Sequence, residues 1–270
     1  MLRGLMKRRE FVLASTMGTI GIGSGPFDPR RAIAESSLPP VPPAGTRKIL
    51  IAGGGFNKAF IKYMAQLTGK PRPKILYFPT ASADKPGTFM ENCKGLDVEP
   101  SIQNSFISSY RQTQTWAEAL LSVDAIVASG GNTLNQQVIW KAHGIDKILR
   151  QAWDKGIVLG GASAGSLCWF EEGTTDSRPK DLSVVQCLGF LKGSHSPHYD
   201  REAQRRPYYM GLIASGKLKS GYACHNDAGI YFEDNTAKRV VHTRADAKVF
   251  YVSRSGNEAV EKELPAEMID

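Results

Sequence analysis

The chain has 270 residues, 41% hydrophobic and 22% charged, with 34 Lys and Arg against 26 Asp and Glu for a formal charge of +8. At about 150 residues per domain this length allows one or two domains with a substantial core, so the chain needs no disulfide staples. The charge does not argue for nucleic acid. Half of it lies in the first 34 residues, six basic against two acidic, and no basic stripe interleaved with aromatics follows.

Residues 1–34 read as a targeting segment rather than as fold. Lys7-Arg8-Arg9-Glu10-Phe11-Val12-Leu13 is a paired arginine before an apolar stretch of modest hydrophobicity, and Ala32-Ile33-Ala34 offers a small-x-small cleavage site. This layout predicts twin-arginine export to the periplasm or beyond, the alternative being a cytoplasmic protein that keeps its N-terminus. The stretch is too short and too glycine-rich for a membrane span of about 20 residues, so no membrane partner is expected once it is removed. Residues 35–46, with Pro39, Pro40, Pro42 and Pro43, have the composition of a linker. The folded part is expected over 47–270 as a single domain.

From there apolar runs alternate with helical patterns. Strands are predicted at 47–52, 74–79, 124–129 and 157–162, and helices before 67, over 134–142 and over 145–154. Continuous apolar strands separated by helices predict an α/β fold, a doubly wound and mostly parallel sheet covered on both faces. Ligands of such sheets gather beyond the carboxyl ends of the strands. Three glycine-bearing ends lie there, at 53–55, 130–132 and 160–165. The first lacks the G-x-G-x-x-G spacing of a nucleotide loop and reads as a tight turn. The second half, with strand-like segments at 229–232 and 248–252, has fewer helices.

Gly161-Ala162-Ser163-Ala164-Gly165 is the stretch with chemistry in it. A serine at the tip of a strand-to-helix turn sits in strained backbone between small residues, with its hydroxyl exposed near the free N–H groups of the helix start. A serine needs a base to take its proton. Of His143, His195, His198, His225 and His242, the best placed is His198, because Pro197 fixes the backbone before it. His195, His198 and Asp200 have some metal-site character, but Pro197 breaks the helix that two ligands three apart would share. The four cysteines, Cys93, Cys168, Cys187 and Cys224, show no C-x-x-C spacing and are expected to be free, buried thiols.

Taken together, Gly130-Gly131-Asn132-Thr133, Gly161-Ala162-Ser163-Ala164-Gly165 with Cys168-Trp169-Phe170, Thr175-Asp176-Ser177, Pro197-His198-Tyr199-Asp200 and Arg205-Arg206-Pro207 resemble the peptidase E family, in order along the chain. This serine peptidase family includes α-aspartyl dipeptidases and cyanophycinases. The resemblance implies a flavodoxin-like sheet related to class I glutamine amidotransferases. It makes Ser163 the nucleophile and His198 the general base, and places the oxyanion hole at the N–H groups of Gly131 and Ala164. It puts an acid in the 225–228 region. An ungapped reading sets Asn226 there, with Asp227 the expected acid and Asp176 the alternative. Asn132, Arg205 and Arg206 are expected to bind substrate, an arginine of this region pairing with an aspartate side chain.

These features predict a serine-type peptidase acting on short peptides, Asp-X dipeptides among them, by a Ser-His-acid mechanism. The alternatives are a cyanophycinase-like exopeptidase on a branched or polymeric peptide and a non-catalytic binding protein of the same fold. A small peptide is the expected partner, a homodimer is an open arrangement, and neither a metal nor an organic cofactor is implied.

Overall fold

The computed structural model describes residues 45–270. The export-signal reading of 1–34 and all but the last two residues of the proposed linker lie outside the described residues.

The chain opens with β1 (Lys48–Ala52), α1 (Lys58–Thr68), β2 (Lys74–Phe78), the single turn α2 (Phe89–Asn92) and β3 (Glu99–Ile102). A 3₁₀ turn at Ser108–Arg111 and α3 (Trp116–Leu121) lead to β4 (Ala125–Ala128), α4 (Thr133–Ala142), α5 (Ile145–Asp154) and β5 (Val158–Ala162). Then come α6 (Ala164–Leu167), β6 (Phe170–Thr175), β7 (Ser183–Gln186), β8 (Leu191–Ser196), α7 (Arg205–Ala214) and β9 (Gly221–Cys224). The chain finishes with β10 (Ala228–Glu233), β11 (Thr236–His242), β12 (Val249–Ser255), β13 (Glu258–Leu264) and β14 (Glu267–Met268).

An eight-stranded sheet in the order β14-β11-β10-β1-β5-β4-β2-β3 carries the fold. Its β1, β5, β4, β2 and β3 are parallel, and β10 joins β1 antiparallel. Every residue of β1, β4 and β5 is buried, which is why those strands read as continuous apolar runs rather than as alternating ones. Alternate residues serve opposite faces. Leu50 and Ala52 pack with Phe60, Met64 and Phe89 from α1 and α2, whereas Ile49 and Ile51 pack with Trp140, Leu149 and Trp153 from α4 and α5.

The predicted parallel α/β core is therefore present, and it has an addition. The strand-rich second half builds its own six-stranded sheet, β13-β12-β9-β8-β6-β7. Its inner residues Phe170, Tyr222 and Val249 join the first sheet's core, and α7 covers its outer side through Tyr209 and Ile213. The chain crosses from the second sheet to the first between β9 and β10, at residues 225–227.

The helices start where the sequence supplies caps. Asn57 accepts from the N–H groups of Ala59 and Phe60 to open α1, and Gly69 at φ 72° closes it. Thr115 and Glu118 form a reciprocal capping box on α3.

Candidate active site

Ser163 stands between the last residue of β5 and the first of α6, at φ 59° and ψ −120°. This region is costly for a residue with a Cβ, of order 1–3 kcal/mol, and persists only when the surroundings enforce it. Here the surroundings are small residues at close quarters. Cβ atoms at Gly161 and at Gly165 would both run into the Ala128 carbonyl oxygen, and one at Gly130 would come within 3.3 Å of Ser163 Cβ. The glycine-bearing ends of β4 and β5 thus press together and hold the serine up at the sheet's carboxyl edge. A kinked turn of this kind is what the Gly-x-Ser-x-Gly spacing predicts.

His198 follows β8 of the second sheet, also at positive φ (54°). Its N–H donates to the Gly53 carbonyl (3.2 Å), which ties it to the end of β1. The ring then lies with Nε2 2.7 Å from Ser163 Oγ and Nδ1 2.7 Å from Asn226 Oδ1. An amide oxygen only accepts, so Nδ1 carries the hydrogen and Nε2 presents its lone pair to the serine hydroxyl. That is the tautomer a base requires.

The third position corrects the sequence reading. Asn226 faces the imidazole, and neither Asp227 nor Asp176 does. Gly54 and Asn226 form an isolated parallel bridge. The next residue, Asp227 at φ 65°, turns the other way and takes Arg244 Nε at 3.2 Å. The left-handed turn at Asp227 swings its carboxylate to Arg244 and leaves Asn226 alone against His198. Asp176 is exposed and lines a separate surface pocket with Arg178, Lys180 and Glu202.

A charged brace holds Asn226 from behind. Its N–H donates to Asp200 Oδ1 (2.8 Å), and its carbonyl accepts from Arg244 (3.1 Å). Arg244 also contacts Asp200 at 2.6 Å and Asp246 at 2.5 Å. Burial works against the Asp200 charge, but the Asn226 N–H and the guanidinium outweigh it and hold the carboxyl below its ordinary range.

Gly54 explains the first glycine cluster. A Cβ there would be driven into the Asn226 amide and stand 2.8 Å from His198 Nδ1. The bare backbone is the seat of the imidazole–amide pair, a role that the tight-turn reading missed. The motif spacing carried no signal for it, because the partners arrive from residues 198 and 226.

At the second cluster, Gly131 has φ 125°, and a Cβ on it would strike the Ala81 carbonyl. Ala164 opens α6, and the first N–H groups of a helix have no partner within it. Ala164 directly follows the serine, and Gly131 follows Gly130, where an added Cβ would meet Ser163 Cβ.

The three residues expected to bind substrate are committed elsewhere. Asn132 caps α4, accepting from the Asn135 N–H (2.8 Å) and donating to the Ser177 carbonyl (3.2 Å). Arg205 is 1% exposed, paired with Glu202 at 2.6 Å and donating to the Thr174 carbonyl at 2.9 Å. Arg206 is paired with Glu261 and lies over the Tyr199 and Phe250 rings. Both arginines lie on α7, which packs on β12 and β13 of the second sheet.

The remaining candidates are structural. His195 is fully buried, bonded to Ser166 Oγ (2.9 Å) and the Tyr222 carbonyl (3.0 Å), and burial pushes its pKa down to about 3, so it is neutral. His143 ends α4, and His242 donates to the Arg244 carbonyl (2.8 Å). Among the described residues no His, Cys, Asp and Glu cluster suits a metal ion, and no helix is long and apolar enough to cross a membrane. All four cysteines are unpaired. Cys93, Cys168 and Cys224 are buried, and Cys187 is partly so.

The chain is similar to known peptidases in sequence and in fold. The family model for peptidase family S51 matches residues 49–240. An uncharacterized peptidase, YgaJ, of Bacillus subtilis (strain 168) is 38% identical over 229 residues, spanning 82% of this chain and 98% of its own. Two crystal structures share the fold. A peptidase from an acI-B1 Actinobacterium has a TM-score of 0.62 at 16% identity, covering 83% of this chain and 96% of that one. A putative peptidase E protein from Listeria monocytogenes EGD-e has a TM-score of 0.52 at 18% identity, covering 82% and 100%.

Proposed function

The chain belongs to peptidase family S51 and is a serine-type peptidase, and from that premise we propose that Ser163, His198 and Asn226 together hydrolyse short peptides. The observation that carries this reading is the unbroken relay from Ser163 Oγ to His198 Nε2 and from Nδ1 to Asn226 Oδ1, both steps at 2.7 Å.

In this reading Nε2 takes the hydroxyl proton as Oγ attacks the peptide carbonyl, and the N–H groups of Gly131 and Ala164 receive the oxyanion. The imidazolium then passes that proton to the leaving amine. Water repeats the sequence on the acyl-enzyme, with His198 again as base, and frees the acid and the serine. Asn226 fixes the tautomer and the ring's direction but adds no negative charge to offset the imidazolium. The role of Asp227 in the expected Ser-His-acid scheme therefore passes to an amide.

That neutral third residue is also the feature that favours the alternative, a binding protein with the peptidase fold. A single comparison separates the two. Wild-type protein and Ser163→Ala are incubated with dipeptides, Asp-X included, and with a serine-reactive fluorophosphonate. Hydrolysis and labelling by the wild type alone support the peptidase mechanism; equal, null results for both proteins favour the binder. Digestion of a multi-arginyl-aspartate polymer against dipeptide tests the cyanophycinase-like alternative. The paired Arg8 and Arg9 motif supports export, to be checked by locating the mature N-terminus.

A further inference from the structure

Beside Ser163 lies a pocket of about 220 Å³. Tyr77 near the end of β2 and Gly130 just after β4 line it, α2 adds Phe89 and Asn92, the exposed Thr88 precedes α2, and Gly55 and Phe56 join from the turn after β1. None of the residues lining it is charged. On its aromatic side Tyr77 and Phe89 stack at 4.8 Å with ring planes 11° apart.

We propose that this pocket receives the side chain on the acyl side of the scissile bond, and that it selects an uncharged aliphatic or aromatic side chain over an aspartate. The inference rests on Ser163 being the nucleophile and His198 the base. Because His198 must hand its proton to the leaving amine, the leaving half of the peptide lies on the imidazole's side of Ser163. That side is the end of β1, where His198 is tied to Gly53 and seated on Gly54. Gly55 and Phe56 close the pocket on that side, and from Ser163 it reaches past them along residues 127–130 at the end of β4 to Tyr77 of β2 and Phe89 of α2, where the acyl half must run.

An aspartate side chain there would give up water without finding a cation. The two arginines nearest to this role in the sequence are taken, Arg205 by Glu202 and the Thr174 carbonyl, Arg206 by Glu261. A Leu or Phe side chain would instead bury apolar surface against Phe56, Tyr77 and Phe89, and Asn92 and Thr88, hydrogen-bonded to each other at 3.3 Å, bring no charge to select by.

The test is calorimetric binding of Phe-Ala, Leu-Ala and Asp-Ala to full-length Ser163→Ala protein, repeated with Thr88→Arg added, which places a cation at the exposed rim. The expected result is Phe-Ala and Leu-Ala binding at least about tenfold tighter than Asp-Ala, with the gap narrowed several-fold by the added arginine. Asp-Ala binding as tightly as the apolar peptides, or a ratio that Thr88→Arg leaves unmoved, overturns the proposal. Fluorophosphonate labelling of the wild-type protein judges the nucleophile independently, so failure of the serine and failure of the pocket give different results.

Discussion

Asn226→Asp is the change that probes the relay most directly. The carboxylate is nearly isosteric with the amide, so its oxygen can keep the 2.7 Å contact with His198 Nδ1 while adding a charge. A neutral hydrogen bond nets about 0.5–1.5 kcal/mol and one to a charged group about 1.5–3, so the imidazolium formed during attack gains about 1 kcal/mol, roughly fivefold in rate. Repulsion from Asp200, which already accepts from the backbone N–H of residue 226, opposes the gain. Arg244, at 2.6 Å from Asp200 and 3.2 Å from Asp227, sits among these charges and keeps that repulsion from cancelling it. Because a carboxylate favours the protonated ring, and the base must be unprotonated, the acid limb of the rate profile moves to higher pH, by about one unit. The assay is kcat/KM for a dipeptide, with the second-order rate of fluorophosphonate labelling, from about pH 5 to 9. Asn226→Ala is the companion. It strands the Nδ1 hydrogen at about 1–3 kcal/mol and lowers both rates roughly ten- to a hundredfold. If both variants stay within about twofold of the parent, or the acid limb of Asn226→Asp moves to lower pH, Asn226 does not orient the base.

Gly54→Ala should cost about a hundredfold in kcat with the fold retained, because its Cβ displaces the Asn226–His198 pair and misplacement by about 1 Å is expensive; circular dichroism with dipeptide kinetics checks both halves. His195 sets an acid limit on stability. Burial keeps it neutral in the fold, with its pKa near 3 against 6.5 when free, so its contribution is whole above about pH 6.5 and is lost as pH falls toward 3, at about 1.4 kcal/mol per unit. Urea denaturation at pH 7 and 5 should differ by about 2 kcal/mol on its account, and His195→Gln should flatten that difference. Arg205→Met should lower unfolding free energy by about 2–3 kcal/mol, toward the low end for a broken buried pair because Glu202 is partly exposed. Arg206→Ala should leave KM for Asp-X dipeptides within about twofold, since Glu261 already holds its guanidinium; a large rise in KM would restore it as a substrate ligand.

The parts whose cause is local are legible in the linear order of residues. The fully buried strands at 48–52, 125–128 and 158–162 announce a parallel sheet because both of their faces must be apolar, and α5 runs over Ile145–Asp154, the very span its helical pattern marks. Ser163 is legible because a kinked strand-to-helix turn permits so few residue types around it, and Pro197 points to His198 because it fixes the backbone ahead of it. Which distant groups meet is settled by the packing of the folded chain. The choice between Asn226 and Asp227 depends on a backbone reversal at φ 65° where the chain passes from one sheet to the other. The bareness of Gly54 has meaning only against two side chains from far along the chain. Arg205 and Arg206 look available in a linear reading, but α7 packs onto the second sheet and Glu202 and Glu261 claim them. Side chains of one residue type have the same reach wherever they occur, and it is the packing of two sheets that settles which of them face the serine.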